Sequence, residues 1–179
     1  AFNTVRYSEK LLEDSGISVE PVDLLEIMGR VERRKDADPA VVERLERIRD
    51  YTPVSSVPEA ALLKMAKLGV VLEDWMDETQ VVISAVQCWT AIEEFYGVVP
   101  CTVMSMMSER LFPSACEVDV CGAVAMYGLQ AASGTPSALL DWNNNYGSNP
   151  DKAVCFHCSN LPKSFFDSSG MKYQAIIGG

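Results

Sequence analysis

The run Val81-Val82-Ile83-Ser84-Ala85-Val86, ending at Gln87 and followed by Thr90-Ala91-Ile92-Glu93, decides how this chain is read. An apolar, β-branched stretch of strand length that gives way to a Ser/Thr-x-x-Glu helix opener is the rhythm of a strand running into a helix. Downstream the rhythm repeats. The helix opened by Thr90 and Glu93 ends at Gly97, Val98 to Met104 reads as a second strand, and Val118 to Ala132, rich in Ala and Gly, reads as a helix closed by Gly134. Ala138 to Leu140 and Ala153 to Phe156 supply two further strand candidates. Short, continuously apolar strands alternating with helices predict an α/β fold, a mostly parallel, Rossmann-like sheet with helices on both faces.

Upstream the pattern changes. Residues 1 to 80 hold 28 of the charged side chains, and residues 81 to 179 only 12. The first part is expected to be helix-rich. Val5 to Leu12 reads as a helix stopped by Ser15 and Gly16, and Ile17 to Val22 alternates like a strand. Asp38 caps a helix with Pro39 in its first position, with Val41, Val42, Leu45 and Ile48 on one face. After a turn-rich stretch from Pro53 to Pro58, a longer helix carries Ala60, Leu63, Met65, Leu68, Val71, Leu72 and Trp75. The whole is one α/β unit, 1–179, with a charged part, 1–80, and an apolar βαβ part, 81–179, that carries the site.

The chain has 179 residues, 48% of them hydrophobic, enough for one core and at most a small companion lobe. Its 15 Lys and Arg against 25 Asp and Glu give a net charge of −10, which argues against a nucleic-acid partner and an anionic membrane surface. No run of eighteen uncharged apolar residues occurs, and the N-terminus lacks a basic-then-apolar leader pattern. Six cysteines, at 88, 101, 116, 121, 155 and 158, lie in apolar stretches and are expected to be buried free thiols of a cytoplasmic protein. Cys155 and Cys158 spell a CxxC, but a structural zinc site needs a second ligand pair at comparable spacing, and Cys116 with Cys121 does not provide it.

Ligands gather outside the carboxyl ends of strands in an open parallel sheet, so polar residues at those ends matter most. Four qualify: Gln87, Glu117, Asp141 and His157, all expected at one edge. Each has a simpler account. Glu117 can complement a helix dipole, with Asp119 as the N-cap; Asp141, ahead of Trp142-Asn143-Asn144-Asn145-Tyr146-Gly147, can sit in an Asx turn; His157, the single histidine, can be a hydrogen-bonded core residue. Together, two carboxylates and an imidazole form the donor set that suits Mn²⁺ or Mg²⁺ and leaves positions for the oxygens of a polyhydroxylated ligand.

The segments Ala115-Cys116-Glu117-Val118-Asp119-Val120, Leu140-Asp141-Trp142-Asn143-Asn144-Asn145-Tyr146 and Phe156-His157-Cys158-Ser159-Asn160, with Val86-Gln87-Cys88-Trp89 upstream, resemble the L-fucose isomerase and L-arabinose isomerase-like family. The resemblance implies a metal-dependent aldose–ketose isomerase working through an enediol, with Glu117 and Asp141 binding Mn²⁺, or Mg²⁺ or Co²⁺, and moving protons at the first two carbons. His157 matches a metal-binding histidine of the arabinose branch and a sugar contact of the fucose branch; Gln87, Trp89 and Ser159 match sugar contacts. The family supplies a further metal-binding histidine from a C-terminal domain and has a longer N-terminal region. The resemblance therefore implies the middle part of a larger, homo-oligomeric enzyme, weakly active or inactive alone. Two other readings stand beside it: a non-catalytic sugar-binding α/β module, and a redox or zinc centre at the CxxC.

Overall fold

The computed structural model describes residues 3–157 and 160–166. Helices dominate it. After a short 3₁₀ turn at Asn3–Val5, α1 (Glu9–Asp14), α2 (Leu24–Arg33), α3 (Pro39–Tyr51) and α4 (Glu59–Thr79) follow in sequence. Then come β1 (Ser84–Ala85), a π-helix (Ile92–Tyr96), α5 (Cys101–Glu109), β2 (Ser114–Ala115), α6 (Val120–Ser133), β3 (Asp141–Tyr146), β4 (Asn149–Phe156) and a 3₁₀ turn at Lys163–Phe165.

The centre of the body is α4. It buries Leu62, Met65, Ala66, Leu68, Gly69, Val71, Leu72 and Met76 on nearly every side, as a helix enclosed by neighbours must. Helices α2, α3 and α5 pack around it. At Gly69 an added Cβ would stand 3.2 Å from Val103 Cγ1 and 3.5 Å from Arg44 Nη1, so this crossing depends on the missing side chain. Arg44 is itself 5% exposed and pairs with Glu73 of α4, which also accepts from Arg110 at 3.0 Å. Burial raises the Glu73 carboxyl, but the hydrogen bonds and charges of Arg44 and Arg110 outweigh it and hold it below its ordinary range.

Charge and capping in the first part are as the sequence predicts. Asp38 accepts from the Ala40 amide at 3.0 Å with Pro39 at the first position of α3, and Pro58 immediately precedes α4. The first helix is shorter than expected, Glu9–Asp14, and residues 17–22 form no strand.

The expected extended parallel sheet is not present among the described residues. Two strands pair in parallel, β1 with β2 in the register Ser84 to Ser114 and Ala85 to Ala115, and β3 with β4 form a separate antiparallel hairpin. The parallel pair still has helices on both faces. Ile83, Ala85 and Ala115 face Ala123 and Met126 of α6, whereas Val86 and Cys116 belong to the main helical core. That is the period of two expected of a strand buried on both sides. Ser84 and Ser114, buried between these layers, satisfy each other at 2.8 Å.

Three strand expectations need correction. Residues 98–104 enter α5, whose residues Cys101 to Ser108 are all buried; an apolar run buried all round carries no period that separates strand from helix, and Pro100 ahead of it favours a helix start. Residues 138–140 are extended but unpaired, and Ala153 to Phe156 belongs to the longer antiparallel β4. Asp141 to Tyr146, read as a turn, is strand β3, closed by a two-residue Gly147-Ser148 connection with Gly147 at φ +56°. The thiols also divide: Cys88, Cys101 and Cys116 are buried, Cys121 and Cys155 are exposed, and Cys158 lies outside the described residues. Among the described residues no helix is long and apolar enough to cross a membrane.

Candidate functional site

Gln87 and Glu117 leave the parallel pair side by side. The ladder continues beyond the two strands: Ser84 N donates to Pro113 O at 2.9 Å, Val86 N to Ala115 O at 2.8 Å, and Val118 N back to Val86 O at 3.3 Å. Two places past the Ala85 to Ala115 register are Gln87 and Glu117, at the carboxyl ends of both strands. Gln87 ends the strand expected for it, whereas Glu117 follows Ser114–Ala115, a strand not expected from the sequence, and precedes rather than begins α6. Gln87 is exposed, and its Nε2 donates to Trp89 O at 3.2 Å; Trp89 is 45% exposed.

The backbone at Glu117 is unusual. Glu117 has φ +62° and Val118 φ +59°, and Asp119 N closes the turn on Cys116 O at 2.9 Å. Positive φ at both central positions is the mirror-image turn that Gly, Asn and Asp ordinarily supply. For a β-branched residue such as Val118 it is a true outlier, and each such residue costs about 1–3 kcal/mol. The turn delivers the chain into α6, where Asp119 is the N-cap and accepts from Gly122 N at 2.7 Å. Gly122 is needed for this: a Cβ there would stand 2.5 Å from Asp119 Oδ2 and 3.0 Å from Leu139 Cδ2.

Leu139 is what connects Asp141 to this corner. It packs on Ala115, Ala123 and Met126, and Ser137 Oγ donates to Met126 O at 2.8 Å, so the segment before β3 is fixed against α6. Asp141 lies two residues beyond, within roughly 7 Å of Leu139 along the chain. It is exposed, and it opens β3 rather than terminating a strand. Asp141 pairs with Phe156, and His157, half-buried, follows at the same open end of the hairpin. Successive residues of a pleated strand face opposite ways, so the ladder alone does not stack the imidazole on the carboxylate. Among the described residues no three of His, Cys, Asp and Glu lie close enough together to hold a metal ion. Ser159 lies outside the described residues.

Sequence reasoning missed two features of this corner. The strained turn has no Gly, Asn or Asp at its central positions to signal it. The hairpin did have a signal, a Gly-Ser pair between Tyr146 and Asn149. A separate cleft of about 900 Å³ lies between α2, the start of α3 and α4, far from Glu117 in the chain. Arg30 pairs with Glu26 at 2.9 Å and Glu78 at 2.6 Å, and Arg34 with Asp38 and Asp74, and Arg33 and Lys35 also line it. Its four acidic and four basic lining residues leave no net charge, and the corner at Glu117 is preferred for its backbone geometry.

No family model matches the chain. It is similar to sulfoquinovose isomerases: 25% identical over 141 residues to that of Clostridium sp. (strain MSTE9), covering 75% of this chain and 31% of that protein. The corresponding figures are 24% over 100 residues, 56% and 23%, for Alkalicoccus urumqiensis, and 19% over 157 residues, 88% and 35%, for Priestia megaterium (strain ATCC 12872 / QMB1551). The chain spans about a third of the length of the curated relatives it matches.

Proposed function

We propose that this chain supplies part of the active site of a sugar aldose–ketose isomerase, with Glu117 as a proton-transferring carboxylate. One observation carries the reading: a non-glycine, doubly left-handed turn holds Glu117 at the carboxyl end of a parallel strand pair, beside Gln87, in a chain similar to sulfoquinovose isomerases. Backbone strain persists where the surroundings over-determine it, and it concentrates at functional sites. Composition gives no other reason to keep Glu and Val there.

The chemistry asked of the site is two proton transfers. A carboxylate removes the proton from carbon 2 of the aldose while the carbonyl oxygen on carbon 1 takes up negative charge, giving an enediol. The hydroxyl proton on oxygen 2 then passes to oxygen 1, and the carboxylic acid returns its proton to carbon 1, leaving the ketose. In this reading Glu117 takes the carbon-bound proton and Asp141 the hydroxyl proton; Gln87, Trp89, His157 and Ser159 are the proposed sugar contacts. Mn²⁺ is the cofactor that the carboxylate and imidazole donors suit. The described residues do not gather a full ligand set, so no step above passes through the ion. The enzyme is expected to be a homo-oligomer.

The test is exchange of the carbon 2 proton of sulfoquinovose with deuterium oxide, followed by NMR together with calorimetric binding of the sugar, each with Mn²⁺ present. Glu117→Gln is expected to abolish exchange, and Asp141→Asn to slow it at least tenfold. Sugar binding with no exchange, even when the chain replaces the corresponding third of a sulfoquinovose isomerase, would favour a binding module instead. Exchange that persists in Glu117→Gln overturns the assignment of that carboxylate.

A further inference from the structure

The β3–β4 hairpin is exposed along both strands, with Trp142 81%, Tyr146 59% and Phe156 55% exposed, and a two-stranded hairpin is marginal by itself in water. Its open end, which carries Asp141 and His157, is nevertheless attached twice. On the β3 side, Ser137 and Leu139 fix the chain to α6. On the β4 side, residues 160–166 return to the helical body and are held there by a dense set of bonds. Asn160 is 2% exposed and Leu161 O accepts from Ser105 Oγ of α5. Lys163 N donates to the Tyr51 hydroxyl at 2.8 Å, and that hydroxyl stands 2.9 Å from Ser105 Oγ. Lys163 Nζ lies 5.5 Å from the Tyr51 ring centre, within reach of a cation–π contact, and 3.4 Å from Asp50 O. Ser164 gives both its N–H and its hydroxyl to Glu109 Oε2, each at 2.9 Å.

We propose that residues 160–166 form a strap, and that Glu109 and Tyr51 are positioning residues that set His157 relative to the Glu117 corner. The geometry is that of a hairpin suspended between two anchors. The α6 anchor holds the β3 end, and the strap holds the β4 end against α3 and α5. His157 is three residues from Asn160, so burying Asn160 confines His157 to within about 11 Å of it. Glu109 is well suited to the task because one carboxylate oxygen accepts two bonds from one residue, and a charged acceptor makes each stronger than a neutral one would. The functional meaning of the strap rests on the isomerase reading above; its geometry does not.

His157 is the single histidine of the chain, so its imidazole gives one unambiguous NMR signal. The experiment compares that ¹H–¹³C signal at fixed pH, without metal or sugar, in the unaltered 179-residue chain and in Glu109→Ala, Glu109→Gln and Tyr51→Phe. The strap predicts that Glu109→Ala and Tyr51→Phe narrow the line and move it to the position of an unfolded peptide. Glu109→Gln, which keeps an acceptor oxygen, retains the native position, and helical circular dichroism is unchanged in all three. A native line in Glu109→Ala with Ser164 released overturns the proposal, as does an unfolded-peptide line in the unaltered chain. If Glu109→Ala does not fold, Tyr51→Phe against Glu109→Gln makes the same comparison. Sulfoquinovose is then added to the unaltered chain: a displaced His157 line supports the role in the reaction, and an unmoved line overturns that role while the strap itself has been measured without it.

Discussion

Replacing Gly122 by Ala tests the construction of the Glu117 corner directly. The new methyl would begin 2.5 Å from Asp119 Oδ2, 2.7 Å from Asp119 Cγ and 3.0 Å from Leu139 Cδ2, closer than side-chain atoms pack. The Asp119 side chain must therefore leave the cap, forfeiting the 2.7 Å bond from Gly122 N, a loss of about 1 kcal/mol. Leu139 must also give way, and overpacking of this kind costs about 1–3 kcal/mol. The better helix propensity of Ala returns up to about 1 kcal/mol. The net expectation is destabilisation by about 1–3 kcal/mol, or roughly 2–12 °C in Tm for a chain of this size. A double-mutant cycle isolates the cause. In an Asp119→Ala background the cap is already lost and only the crowding against Leu139 remains, so adding Ala at 122 costs about 1 kcal/mol less than in the unaltered chain, and that difference is the coupling energy between the two sites. Urea melts of the four proteins measure it. Additivity to within about 0.5 kcal/mol would refute the claim that Gly122 is kept for the Asp119 cap.

Val118→Asn should stabilise the chain by about 0.5–1 kcal/mol, since Asn tolerates the left-handed conformation that costs a β-branched residue roughly 1–2 kcal/mol; thermal melts showing no gain would count against strain at φ +59°. Glu73→Gln leaves the buried Arg44 guanidinium without its counter-charge and is expected to cost about 2 kcal/mol near neutrality. Because the Glu73 carboxyl is held below its ordinary range, its contribution is present above the unfolded value and is lost as pH falls through the lower folded one, so melts of the two proteins should converge below about pH 4. Neither the Nδ2 nor the Oδ1 of the buried Asn160 has a hydrogen-bond partner, so Asn160→Leu should be neutral or stabilising by up to about 2 kcal/mol; a loss above about 1 kcal/mol shows a partner for that amide.

Helix ends were legible where their signals are local. Asp38 and Pro39, Asp119, Gly97 and Gly134 each act through bonds to residues within one turn, and all four helix boundaries fall where those residues predict. Strand order depends on tertiary pairing, which composition does not encode. The apolar run through Met104 satisfies strand and helix equally, and only the packing of α5 between α4 and the parallel pair separates them. The asparagines of β3 disfavour a strand, and the hairpin overrides that preference through cross-strand pairing with β4. At the site, Gln87 was readable as the end of the Val81 run, whereas the strand that leads to Glu117, Ser114–Ala115, is too short to show a period, and the attachment of the segment before Asp141 to α6 depends on Leu139, an apolar residue with no chemistry to advertise.

That dependence says something about how the corner is built. A turn with two left-handed, non-glycine residues would relax if its flanks were free, and a glycine at either position would relieve it at once. Here the flanks are fixed by Val118 N on Val86 O, by Asp119 N on Cys116 O and by the Asp119 cap, while Ala115 and Cys116 are fully buried in two different clusters. The chain can neither slide nor rotate to release φ at 117. The Cα–Cβ bond of Glu117 is consequently aimed by the backbone, so its carboxylate reaches from a fixed origin before a ligand arrives. Pre-organised direction is what a proton-transferring group requires, because misplacement by about 1 Å can cost a hundredfold in rate.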